Sequence, residues 1–159
     1  MRINIVCVGK IKEKFFSMAI DEYAKRLSRY CKLGIIEVAD EKTIEGCSET
    51  VCNQIKDREG RRILEALKED DYVIALAIDG SRLDSVGFAK KLDSLFVGGT
   101  SSISFVIGGS LGLSDEVMRR ADYRLSFSDM TFPHQLMRVI LLEQVYRCYR
   151  INNNEPYHK

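Results

Sequence analysis

Five apolar runs recur along the chain at intervals: INIVCVG, GIIEVAD, YVIALAIDG, SISFVIGG and YRLSFS. Most lack the alternation of a half-solvated strand, so they predict strands covered on both faces. Between them the apolar positions move to helical spacing. Phe15, Phe16, Ala19, Ile20, Tyr23, Ala24 and Leu27 mark a first helix, and Val51, Ile55, Ile63, Leu64 and Leu67 a longer, charged one from Ser48 to Lys68, weakened at Gly60. A third helix runs from Ser85 to Phe96, and a short one starts at the N-cap Ser114 with two acids in its first turn. A last helix spans Pro133 to Ile151, and the third strand should break at Asp79–Gly80. Strictly alternating strands and helices specify an α/β fold, a mostly parallel sheet with helices on both faces. At 159 residues, with no linker or repeat, residues 1–159 read as one domain.

Several classes are excluded early. Net charge is +1, so bulk charge does not announce a nucleic-acid binder, although a local basic surface is still possible. No apolar run is long enough to span a bilayer, and MRINIVCVGK lacks the regions of a signal peptide; a cytoplasmic protein with no membrane partner is expected. Cys7, Cys31, Cys47, Cys52 and Cys148 contain no C-x-x-C pair and read as free thiols in a reducing compartment. Two histidines and no cysteine cluster lead to an expectation of no metal.

Parallel sheets bind ligands beyond the carboxyl ends of their strands, here Leu76–Gly80, Gly108–Leu113 and Phe127–His134. IGGSLGLSDE lacks the lysine of a phosphate-binding loop and the spacing of a dinucleotide loop; it reads as a tight turn or as a backbone that lets a flat ligand approach. FSDMTFPHQ combines hydroxyls at Ser128 and Thr131, Asp129, and apolar walls at Phe127, Met130 and Phe132. It suits a nucleoside-sized ligand, or a capping loop in which Thr131 satisfies free helix N–H groups. His134 opens the next helix, where the dipole disfavours its charged form; packing and catalysis are both open to it. That helix is apolar around most of its circumference, so it must bury a second face, against another copy of the chain. Arg138 falls on its apolar side and needs a partner. Glu143, Arg147 and Arg150 gather elsewhere, as a salt-bridged stripe or an anion-binding face.

FVIGGSLGL, SFSDMTFPHQLMRVILLEQVYR and the closing YHK, with INIVCVGKIKEKF and EYAKRL, resemble the ribosomal RNA large subunit methyltransferase H family of the SPOUT class. The resemblance covers essentially the whole chain and implies a C-terminal trefoil knot, a homodimer and S-adenosylmethionine as methyl donor. It further implies methylation at N3 of a pseudouridine in large-subunit (23S) ribosomal RNA, on assembled ribosomes. Carried over by position, the cofactor residues are Leu76, Gly108, Phe127, Ser128, Asp129, Met130, Thr131 and Phe132. The catalytic candidates are His158 as general base, Tyr157 packing on or bonding to the nucleobase, Arg147 on the nucleotide side and Glu143 orienting Arg147. Lys159 stands where the family often has arginine, which keeps a cationic phosphate contact but not a bidentate one. The closing Tyr157–Lys159 is expected to fold over a cofactor pocket of its own or a partner's subunit and to order fully only with RNA. Lys10, Lys12, Lys14, Arg119, Arg120 and Arg150 are candidate phosphate contacts. The alternative is a ribosome-associated nucleotide-binding module without catalysis.

Overall fold

A computed structural model describes all 159 residues. Strands β1 (Arg2–Val8), β2 (Lys32–Val38), β3 (Tyr72–Arg82), β4 (Ser102–Ile107) and β5 (Tyr123–Ser126) form one sheet in the order β2-β1-β4-β3-β5. Every pairing is parallel, as strands apolar on both faces require. Helices α1 (Lys14–Leu27), α3 (Ser85–Val97) and α5 (His134–Asn152) cover one face, against Ile3, Ile5, Cys7, Ile74, Ile103, Phe105 and Ile107. Helices α2 (Glu49–Ala66) and α4 (Asp115–Arg120) cover the other, where Ile63 and Val117 meet Val6, Val8, Val73 and Val106. The two-residue period of β1 thus feeds two cores at once. Each such side chain contributes roughly 1.5–3 kcal/mol on leaving water.

Three local departures from the sequence reading have physical causes. Strand β3 does not break at Asp79–Gly80 but runs to Arg82, through a register shift between Leu76 and Ser81 where it pairs with β5. The sequence shows a turn pair there; the structure uses Gly80 to bring two backbones together, since a Cβ on it would lie 2.8 Å from the Arg124 carbonyl group. Helix α2 passes through Gly60 unbroken because that glycine is a contact point, where a Cβ would meet Ser114 Oγ at 2.3 Å. Cys47 and Cys52, expected as free thiols, are joined in a disulfide, while Cys7, Cys31 and Cys148 are free and buried. Four residues separate the pair, and the turn at the N-cap Ser48 brings their Cα atoms within 6.2 Å, inside bridging range.

Arg138 finds the partner its position demands. It is 1% exposed and donates to Glu37 Oε2 at 2.7 Å and to the carbonyls of Val8 and Gly9 at 2.9 and 2.6 Å. One side chain of α5 therefore fixes the carboxyl ends of β1 and β2. At the opposite edge Asp71 accepts from Ser102 and Ser104 at 2.6 and 2.7 Å. No helix is long and apolar enough to cross a membrane.

Candidate active site

A cavity of about 680 Å³ opens beyond the carboxyl ends of β3, β4 and β5. The three edges singled out in the sequence all contribute to it: Leu76–Gly80 as far as Ile78, Gly108–Leu113 whole, and Phe127–His134 without Asp129. The turn after β4 is closed by Gly112 N–H donating to the Gly109 carbonyl at 3.1 Å, with Gly112 at φ +88. Its two arms lie so close that a Cβ on Gly108 would stand 2.8 Å from the Gly112 carbonyl carbon. Ser114 then caps α4, accepting from Val117 N–H at 3.3 Å.

Of the eight carried-over cofactor residues, Leu76, Gly108, Phe127, Ser128, Met130, Thr131 and Phe132 line the cavity. Asp129 turns outward and pairs with Arg82. Ser128 Oγ accepts from Met130 N–H at 3.0 Å and so shapes this loop from within. Thr131 does not cap α5, whose N-cap is Pro133 without a side-chain bond. His134 lines the cavity, and burial, with Arg138 nearby, lowers its pKa, which favours the neutral ring. Sequence reasoning missed Ile107, Leu125, Ser126 and Met137; Met137 lies one turn beyond His134 on α5, a spacing that could have found it. A predominantly apolar chamber edged by backbone groups and hydroxyls, within the roughly 300–1,000 Å³ of small-molecule sites, suits a ligand of nucleoside size.

The catalytic candidates assemble elsewhere. Glu143 Oε1 accepts from Arg147 Nε and Nη2 at 3.1 and 2.6 Å and from Tyr157 Oη at 3.1 Å. Arg147 Nη1 lies 3.2 Å from His158 Nδ1, and its guanidinium lies over the Tyr157 ring at 4.7 Å. Burial, then the bond to Glu143 and its charge, push the Tyr157 phenol up to about 12. The tail folds back on its own chain. Tyr157 packs edge-on against Tyr146, Arg150 pairs with Glu155 at 2.6 Å and donates to the Pro156 carbonyl, and Tyr30 bonds Glu155. Aromatic and ionic contacts within residues 143–158 outweigh the entropy of ordering so short a segment.

These two assemblies share a helix but not a location. The cavity touches α5 at His134 and Met137 and the cluster begins at Glu143 and Arg147, so the rise along the helix is about 9 Å from Met137 to Glu143 and about 20 Å from His134 to Arg147. None of the tail residues lines the cavity of its own chain. Among the candidate phosphate contacts, Arg120 is committed to the carbonyls of Lys68, Glu69 and Asp71, and Arg150 to the tail.

A parallel sheet with a glycine turn and a chamber at its carboxyl edge places the chain among α/β proteins that bind a small ligand beyond their strand ends. The chain belongs to the SPOUT methyltransferase family, whose model, described as "Predicted SPOUT methyltransferase", matches residues 1–158. It is similar, at 64% identity over 100% of both chains, to "Ribosomal RNA large subunit methyltransferase H" of Clostridioides difficile (strain 630). The protein of the same name from Bifidobacterium adolescentis is 60% identical, and "Ribosomal RNA large subunit methyltransferase H 1" of Clostridium perfringens (strain SM101 / Type A) 58%, again over 100% of both chains.

Proposed function

We propose that this chain, as a single domain over residues 1–159 and as a cytoplasmic homodimer, methylates N3 of a pseudouridine in large-subunit (23S) ribosomal RNA within assembled ribosomes, using S-adenosylmethionine. The names and full-length similarity of its relatives support the substrate class. The observation that carries the reading is the separation of the chamber, at the first turn of α5, from the tail cluster built on Glu143 and Arg147, none of whose tail residues lines the chamber of its own chain. A second copy, packed through α5, places its cluster over the first copy's chamber and so completes two sites. The half-buried apolar positions Leu136, Val139 and Ile140 of α5, and Phe15 and Met18 on α1, 63% and 62% exposed, offer apolar surface for that contact. In the fold that the family implies, the segments lining the chamber form the trefoil knot.

The donor, when bound, supplies a methyl group on a sulfonium. Leu76, Gly108, Phe127, Ser128, Met130, Thr131 and Phe132 hold it, and Asp129, through Arg82, steadies the loop they share. The incoming pseudouridine must lose its N3 proton. A guanidinium can only donate, so Arg147 bonded to Nδ1 leaves the neutral His158 ring with its hydrogen on Nε2. When a nucleobase carbonyl takes over the Arg147 donor, Nδ1 is released and accepts the N3 proton, while Arg147 stabilises the charge left on the imide. Glu143 keeps Arg147 and Tyr157 in register throughout, and Tyr157, held as a phenol, offers its ring face to the base. Lys159 meets a phosphate as a point charge.

Two inactive variants provide the test. Deleting Tyr157–Lys159 removes the cluster, and Gly108→Val blocks the chamber. Each should abolish methyl transfer to ribosomes from a strain lacking the enzyme, because a general base alone contributes about 10²–10⁴-fold. Mixed during refolding, they should recover about a quarter of wild-type activity, since half the dimers then hold one whole site. No recovery, or full activity of the truncated chain, overturns the composite site; absence of any transfer by the wild type would leave a non-catalytic binding module.

A further inference from the structure

One buried carboxyl group beside the chamber is used by none of this. Glu59 projects from α2 and is 4% exposed, yet it is not among the residues lining the cavity. Its Oε1 accepts from Glu41 N–H at 3.1 Å, and its Oε2 has no partner. A Cβ built on Gly109 would stand 2.9 Å from Oε2, so the carboxyl packs directly on the turn that walls the chamber. The neighbouring strap, residues 39–43, holds the same turn. Thr43 Oγ1 lies 2.9 Å from Ser110 Oγ, and Arg62 donates to the Ala39 carbonyl and to Glu41 at 2.9 and 2.7 Å. Simple space-filling does not call for an acid, since an apolar side chain of similar volume would fill the gap without desolvating a carboxyl.

We propose that Glu59 is a positioning residue of the methyl-donor chamber: it braces the Gly109 arm of the glycine turn from behind and thereby sets the affinity for the donor, an inference that rests on the reading of this chamber given above. Burial raises the carboxyl above its ordinary range. Asp40 and Glu41 on the strap push the same way, and Arg62 on its own helix opposes them. What braces the turn is the contact itself: Oε1 is held by Glu41 N–H on the strap, and Oε2 rests against Gly109.

The test compares Glu59→Ala and Glu59→Gln by calorimetry with S-adenosylmethionine and by steady-state methylation of ribosomes. In Glu59→Ala the donor's Kd and KM should rise about tenfold, the worth of one lost buried hydrogen bond, with kcat at saturating donor within about twofold of wild type. Glu59→Gln preserves shape and acceptor, and should stay within about twofold on all three. Wild-type donor affinity in a folded Glu59→Ala, a fall in kcat at unchanged KM, or a Glu59→Gln as weak as Glu59→Ala each overturns the proposal. If Glu59→Ala does not fold, Gly109→Ala decides: its added methyl should weaken binding about tenfold, and the shorter acid of Glu59→Asp should restore part of that loss in the double variant. Losses that merely add would overturn the brace. Should the wild type itself fail to bind S-adenosylmethionine, the chamber's assignment falls; binding by the wild type and by Glu59→Ala alike removes only the role of Glu59.

Discussion

Arg138 carries more of the architecture than any other charged side chain. Removing it leaves two strand-end carbonyls without their donor and the more exposed Glu37 without its ion pair, so Arg138→Met should cost about 1–3 kcal/mol in urea denaturation, and Arg138→Lys a large part of that, because an ammonium cannot span three acceptors in a plane. Two buried acids give opposite pH signatures. Glu59 has its native pKa raised, so between the ordinary value of 4.5 and that raised value the unfolded chain releases a proton the native state keeps, and stability falls as pH rises through this window. For Asp71, burial alone would raise the pKa, but bonds from Ser102 and Ser104 prevail and lower it. Its stabilisation is full above the ordinary 3.8 and is lost as pH falls through the native value. Stability-against-pH curves of Glu59→Gln and Asp71→Asn should therefore each lose one of these slopes, on opposite sides; parallel curves would refute the assignment. Arg138 was legible as a charge on the apolar side of a helical wheel. Glu59 was as legible but went unread: it lies four residues from both Ile55 and Ile63, on the apolar stripe of α2, an inward position for an acid.

Among the elements, the alternation of strand and helix was readable because burial on both faces leaves a continuous apolar run and helix packing leaves a 3.6-residue stripe. The misreadings sit where one residue does a job that depends on a distant segment. Gly80 looks like a turn and is a close approach between β3 and β5. Gly80→Ala should destabilise by about 1–3 kcal/mol by forcing those backbones apart, visible as a lower urea midpoint at unchanged slope. An unaffected midpoint would mean the bulge relaxes freely. The three chamber edges were legible for the same reason as the strands, since they are the strand ends. The order of the tail was not, because its contacts with Tyr30 and Tyr146 join residues that only the fold brings together.

For the whole molecule, the central feature is one helix, α5, that meets the chamber in its first turn and carries Glu143 and Arg147 further along, an arrangement the proposed dimer uses to complete each site. Light scattering should give twice the 18.1 kDa of one chain at assay concentrations. A monomer of full activity would dissolve the composite arrangement. The expectation of a pair comes from an α5 too apolar for one packing surface; which copy supplies which half is not written along a single chain, because nothing there encodes the geometry of a pair.

The bond between Cys47 and Cys52 bears on how such a protein is handled. It anchors the far end of the strap that reaches Ser110 to the start of α2. Cutting so small a ring frees about 2 kcal/mol of chain entropy at most. The result is a molecule that still folds but has slack beside its chamber. Preparations kept in dithiothreitol and preparations left in air are therefore chemically distinct species, and a binding constant measured on one does not transfer to the other.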